Sequence, residues 1–129
     1  MILFLPLTVF LSLAAQAAKP AKIDVRAELL INGKVVTNPR IIALPGEPAE
    51  LRQSDRSGKT RTVFSVTAQP ADAKMEEIRL DMDLEYAAGD RIIHSRPQVI
   101  AKAGDEALMT LEESTKSEKI QLRVRARPQ

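Results

Sequence analysis

Cysteine is absent from this chain of 129 residues. That excludes disulfides, a lipid anchor attached through cysteine, and a zinc site built on thiolates. The single histidine, His94, cannot by itself supply the several nitrogen or sulfur ligands that zinc takes. Aromatic side chains are 3% of the residues, and two of the three phenylalanines, Phe4 and Phe10, lie in the apolar N-terminal segment. Phe64 and Tyr86 are the aromatics left for the rest of the chain. A ligand pocket lined by aromatic rings is not available from this composition. The core has to be built from Ile, Leu, Val, Met and Ala, and no cofactor is implied. The net charge of +2 is too small a bias to point to nucleic acid.

Charge is also missing from Met1 to Ala18. Ile2 to Ala15 are mostly apolar, and Ala15-Gln16-Ala17 offers small residues at the −3 and −1 places of a cleavage site, the pattern of a secretory signal. The n-region departs from it in having no Lys or Arg. A spanning helix needs about 20 apolar residues, and this run is shorter and carries Pro6. The expectation is a signal peptide over 1–17, cleaved after Ala17, a tether over 18–22, and no transmembrane anchor after cleavage. The location that follows is periplasmic or secreted. Without disulfides, an exported protein holds itself together by packing alone.

What is present is a repeat. Pro39-Arg40-Ile41-Ile42-Ala43-Leu44-Pro45-Gly46-Glu47-Pro48-Ala49 is echoed by Pro97-Gln98-Val99-Ile100-Ala101-Lys102-Ala103-Gly104-Asp105-Glu106-Ala107. Pro39 to Pro97, Gly46 to Gly104, Ala49 to Ala107, Val66 to Val124, Ala68 to Ala126 and Pro70 to Pro128 all share one offset of 58 residues. Between these marks the hydrophobic period is two, the mark of half-buried strands. Ile23, Val25, Ala27, Leu29 and Ile31 alternate with Asp24, Arg26, Glu28 and Leu30, and Asn32-Gly33 then signals a tight hairpin. Lys34 to Thr37 and Arg40 to Leu44 form the next run, at an edge or bulged because Pro39 cannot donate to a ladder. Ala49 to Gln53 and Arg61 to Ala68 complete the first copy. A link over 71–77, with room for one helical turn at Ala71 to Met75, leads to the second. There Ile78, Leu80, Met82, Leu84 and Tyr86 face one way and Arg79, Asp81, Asp83 and Glu85 the other. Arg91 to His94, Gln98 to Lys102, Glu106 to Leu111 and Lys119 to Ala126 follow.

The predicted fold is all-β, an antiparallel β-sandwich of about eight short strands built from two tandem four-strand repeats. Repeat one spans 23–70 and repeat two 78–128. One copy alone buries too little to fold independently, so the two share one core in a single domain over 23–128. Two small β-domains in tandem are the alternative.

Val35 to Leu51 resembles a strand-turn-strand segment of the bacterial secretin domain, where a Pro-Arg-apolar run leads to a turn and then to Ala and an aliphatic residue. Ile92 to Met109 is a looser match. The chain lacks the length and the barrel-forming glycine pattern of secretins. What the resemblance implies is a local hairpin type in an exported protein.

The chemistry-bearing residues are few. Ser95 and Ser65 are available as nucleophiles for His94, but no nucleophile-elbow glycine pattern frames them, so hydrolysis is not indicated. Asp81, Asp83 and Glu85, with Asp90, form the densest carboxylate set. Their spacing of roughly 6.5–7 Å along a strand face is too wide for one Ca²⁺ without loop oxygens. It suits an inverting glycosidase pair, but the sugar-stacking aromatics are missing. Lys119, Arg123, Arg125 and Arg127 form a basic row on the last strand. If the strands over 78–86 and 119–127 are neighbours, their opposite charges pair across the ladder; otherwise the basic row is free for an anionic partner. Arg40, Glu47 and Glu50 mark the first Pro-to-Ala loop as a candidate binding edge, with Gln98, Asp105 and Glu106 as its twin in the second. The function that follows is not enzymatic. It is an exported binding or assembly module of the bacterial cell envelope. A partner protein is met at an exposed strand edge by β-addition. The alternative is an anionic lipid or polymer, such as lipid A phosphate, held by Arg123, Arg125 and Arg127.

Overall fold

A computed structural model describes residues 21–129. The expected signal segment over 1–17, and the tether up to residue 20, lie outside the described residues. Ten strands and no helix occur among the described residues. They are β1 (Ile23–Ile31), β2 (Lys34–Thr37), β3 (Arg40–Ala43), β4 (Pro48–Ser54), β5 (Thr60–Pro70), β6 (Glu77–Ala88), β7 (Arg91–Ser95), β8 (Gln98–Lys102), β9 (Glu106–Thr110) and β10 (Ile120–Pro128). Residues 71–76 make a turn rather than a helical one, with Met75 at φ 59°.

All pairings are antiparallel, in two sheets of five strands. The first runs β2-β1-β10-β9, with β3 also on β1; the second runs β4-β5-β6-β7, with β8 also on β6. The first sheet therefore joins the first and last strands of the described residues, Ile23 lying opposite Pro128. Asn32 helps to set that pairing. At φ 52° it turns the β1-β2 hairpin, its N–H donates to the Lys119 carbonyl (2.8 Å), and its Oδ1 accepts the Lys119 N–H (2.8 Å).

The prolines explain why β2 and β3, like β7 and β8, are separate strands. Pro39 and Pro97 have no N–H to donate, but their carbonyls still accept from Ala27 (2.9 Å) and Met82 (3.0 Å). Each broken strand pairs on one side only, so it ends its sheet. The other two ends are β4 and β9. On one flank of the molecule β3 adjoins β4; on the other β8 adjoins β9.

One apolar cluster takes its members from both sheets. Val25, Leu29, Leu122 and Val124 come from the first, and Phe64, Leu80, Leu84 and Ile93 from the second. The period-two pattern places them: every second residue of β5, β6 and β10 is buried.

The registers recur. Ala49 pairs with Val66 on β4-β5, and Ala107 with Val124 on β9-β10. Val25 pairs with Ala126, and Leu80 with Ala68. The turns recur as well: Gly46 N–H donates to the Ala68 carbonyl and Gly104 N–H to the Ala126 carbonyl, both at 2.8 Å. These glycines have φ of +77° and +85°, and open space around them. Replacing either by Ala meets no clash, so its cost is conformational. Gly46→Ala and Gly104→Ala are each expected to cost about 1–2 kcal/mol in urea unfolding. Asn at either place is expected to cost less, because it tolerates this region.

Candidate functional site

The outer face of the first sheet carries the densest set of charges that the sequence singled out. On β1 the outward residues are Asp24, Arg26 and Glu28. Register sets Asp24 beside Arg127, Arg26 beside Arg125, and Glu28 beside Arg123. β3 adds Arg40 opposite Arg26, and β9 adds Glu106 opposite Arg125. Arg40, Arg123, Arg125 and Arg127 are thus brought to one face. Glu47 is not: it lies exposed in the turn between β3 and β4, its N–H donating to the Leu44 carbonyl (3.1 Å).

Asp24 is the buried member, 4% exposed despite its place in the outward row. Arg40 forks onto it, Nε to Oδ1 at 3.0 Å and Nη2 to Oδ2 at 2.9 Å. Arg26 approaches to 3.6 Å. The hydrogen bonds from Arg40 hold the Asp24 carboxyl below its ordinary value, against the opposing effect of burial. The charges of Arg40, Arg26 and Arg127 act in the same direction. Further along, Arg123 Nη1 donates to Glu28 (2.9 Å), and its Nε lies 3.0 Å from Glu106 without the alignment of a hydrogen bond. Arg125 reaches Glu106 at 3.4 Å. Arg127 makes no ion pair or side-chain hydrogen bond among the described residues. Two clefts open here. One of about 370 Å³ is lined by Arg26, Glu28, Pro39, Arg40, Arg123 and Arg125 among others. A smaller one of about 60 Å³ lies between Asp24, Arg26, Arg125 and Arg127.

Charge pairing between the strands over 78–86 and 119–127 does not occur. β6 and β10 lie in different sheets. The arginines of β10 meet carboxylates of β1 and β9 instead. The carboxylates of β6 are paired locally: Asp81 with Arg79 (3.3 Å), Asp83 with His94 (2.8 Å) and Arg96 (3.1 Å), and Glu85 with Arg61 (2.9 Å). Sequence reasoning therefore missed Asp24, Arg26 and Glu28 as members of the face. Their alternation was visible, but the neighbour that makes them a site was not.

A third cleft, of about 620 Å³, opens on the β8-β9 flank between the residues 94–98 and 109–113. The large apolar residues that remain exposed border this flank or the opposite one. Ile92 on β7, Ile100 on β8 and Leu108 on β9 are 65%, 58% and 55% exposed. Val35, Ile42 and Leu44, less exposed, belong to β2, β3 and the turn after it. Above the β9-β10 loop, Arg91 of β7 forks onto Glu118, with Nη1 at 2.6 Å from Oε2. Among the described residues no group of three or more His, Cys, Asp or Glu side chains converges as a metal site. None of their elements is a helix long and apolar enough to cross a membrane. No known protein family, no curated protein and no solved structure matches the chain.

Proposed function

We propose that this protein is an exported, non-catalytic binding module of the bacterial cell envelope that meets a partner protein along its β7-β8 and β9 flank. The observation that carries the reading is the placement of exposed apolar side chains. Ile92, Ile100 and Leu108, the three most exposed large hydrophobics, all sit on strands that end a sheet at that flank. A strand end offers an unpaired row of amides and carbonyls. With apolar side chains beside it and a cleft of about 620 Å³ alongside, it suits an incoming extended segment. Pro97 interrupts one of these ends, so β9, which has no proline, is the pairing edge.

The fold proposed with this function is a sandwich of two tandem copies sharing one core. The recurring registers support it, as does the single apolar cluster drawn from both sheets. The apolar leader and the secretin-like segment Val35 to Leu51 support export and the envelope as its destination.

Capture from solubilised cell envelope with tagged protein tests the reading. A partner band that survives high salt is expected for the wild type. It is expected to disappear in Ile100→Lys with Leu108→Lys, and to persist in Ile42→Lys on the opposite flank. These positions are exposed, so the fold is expected to tolerate Lys, checked by unchanged thermal melting. A band indifferent to the β8-β9 changes, or the lack of any salt-resistant band, removes this proposal.

A further inference from the structure

We propose that the cleft between Arg26, Arg125 and Arg127 is an oxyanion site that takes a phosphate group. This goes beyond the partner flank above and uses a different surface.

The first argument is charge. Five arginines, at 26, 40, 123, 125 and 127, share this face with three carboxylates, Asp24, Glu28 and Glu106. The carboxylates are already taken. Both oxygens of Asp24 accept from Arg40, Glu28 accepts from Arg123, and Glu106 faces Arg123 and Arg125. The donors left over belong to Arg26, which has only a 3.6 Å contact, to Arg125, with one bond of 3.4 Å, and to Arg127, with none among the described residues. Guanidinium groups with free N–H donors are the preferred partners of phosphate oxygens.

The second argument is shape. The register puts Arg26 directly beside Arg125 and sets Arg127 one pleat further along. These side chains border the cleft of about 60 Å³, which has room for a single phosphate rather than a drug-sized molecule. Asp24 borders it too, but the Arg40 fork neutralises its charge. Arg26 and Arg125 also line the adjoining cleft of about 370 Å³, so their unused donors can meet a second anionic group of the same ligand there, while Arg40 and Arg123 stay with Asp24 and Glu28. A molecule with linked phosphates is therefore favoured over inorganic phosphate.

The third argument is an internal comparison. At the places corresponding to Arg123, Arg125 and Arg127, the outward row of β5 carries Ser65, Thr67 and Gln69. These pair with Asp83, Asp81 and Arg79 in a full ladder. The sheet forms there without an arginine at any of these three places, so arginine at 123, 125 and 127 of β10 is not a requirement of the strand pairing.

The test is titration of inorganic tripolyphosphate into the purified chain at low salt, followed by amide chemical shifts. Saturable binding is expected, with shifts centred on β1 and β10 and affinity falling as salt rises. Arg127→Gln, which removes a side chain holding no other residue, is expected to weaken binding about tenfold or more. Arg79→Gln makes the same charge change on the other sheet and is expected to stay within about twofold. Arg26→Gln is expected to follow Arg127→Gln. Vesicles of phosphatidic acid in phosphatidylcholine, against phosphatidylcholine alone, separate the sources. Binding that Arg127→Gln abolishes on these vesicles assigns a lipid phosphate, and binding of tripolyphosphate alone assigns a soluble one. Equal weakening by Arg127→Gln and Arg79→Gln, or no saturable binding to either probe, overturns the site and leaves the flank reading standing.

Discussion

Phe64→Ala is expected to lose about 3–5 kcal/mol of stability, the cost of emptying a fully buried aromatic site. Domains of this size have only about 5–15 kcal/mol in total, and each kcal/mol corresponds to roughly 4 °C or more of Tm. A fall of roughly 15 °C follows from these figures. Phe64 is completely buried at the middle of β5, flanked in register by Leu51 on β4 and Leu84 on β6. Those neighbours are aliphatic, and their strands are fixed by ladder bonds on either side of them. They cannot swing into the space a ring leaves. Ile92→Ala is the natural comparison, since Ile92 is largely exposed; it is expected to change stability by about 0.5 kcal/mol or less. Thermal melts of both variants decide the matter. Similar melting points for the two would mean that the cluster around Phe64 is not the core of this protein.

Arg40→Met is expected to cost more at neutral pH than Asp24→Asn, although both break the same pair. Asp24 is buried and Arg40 is half exposed. Removing Arg40 leaves a buried carboxylate with only the 3.6 Å contact to Arg26. Removing the charge of Asp24 instead leaves a guanidinium that water can reach, and an amide that still accepts one bond. The pH dependence separates these cases. In the wild type the Asp24 carboxyl is held below its ordinary value of 3.8. Its contribution is therefore complete above that value and is lost as pH falls through the lower, folded-state value. In Arg40→Met the fork is gone and burial is opposed only by the charges of Arg26 and Arg127, so the carboxyl rises relative to wild type and the penalty of the change is relieved as pH falls and the group takes up a proton. The deficit of Arg40→Met relative to wild type is expected to shrink on acidification. Below about pH 4 it is expected to be no larger than that of Asp24→Asn. Melting curves from neutral to acid pH measure this. A deficit that stays constant over that range would show that Arg40 acts through packing of its aliphatic stem and not through Asp24.

Most of the strands were legible because an alternating run is closed at one end or both by Pro, Gly or Asn. The run from Ile78 to Tyr86 is the plainest case, and β6 extends it by one residue at its start and two at its end. The broken runs were also legible, since a proline without an N–H marks a gap wherever it falls in an extended segment. Neighbours were not legible. Whether β10 lies beside β1 or β6 is decided by how the first and last described strands close a sheet, and local alternation is the same in either case. That is why the acidic row of β6 was matched with the basic row of β10, and why Asp24, Arg26 and Glu28 were passed over. Asp24 illustrates a second limit. Its place in the alternation assigns it to the polar face, correctly, but the partner that satisfies it there, Arg40, lies on a strand that follows a hairpin and a proline. Glu47, placed beside Arg40 by sequence, is carried away from it by the turn at Gly46.

The pairing of β1 with β10 has a consequence for how this chain comes to its native state. The earliest strand of the described residues has its long ladder partner in the latest one, from Ile23 opposite Pro128 to Ile31 opposite Ile120. Such contacts close the largest possible loop, and topologies dominated by them fold slowly. A chain delivered end-first, from a ribosome or through a narrow pore, has a β1 whose main partner has not yet arrived. Until β9 and β10 emerge, two of the five strands of the first sheet are missing and the apolar row of β1 lacks its longest neighbour. The core therefore closes only once β10 has reached β1, late in any end-first delivery of this segment.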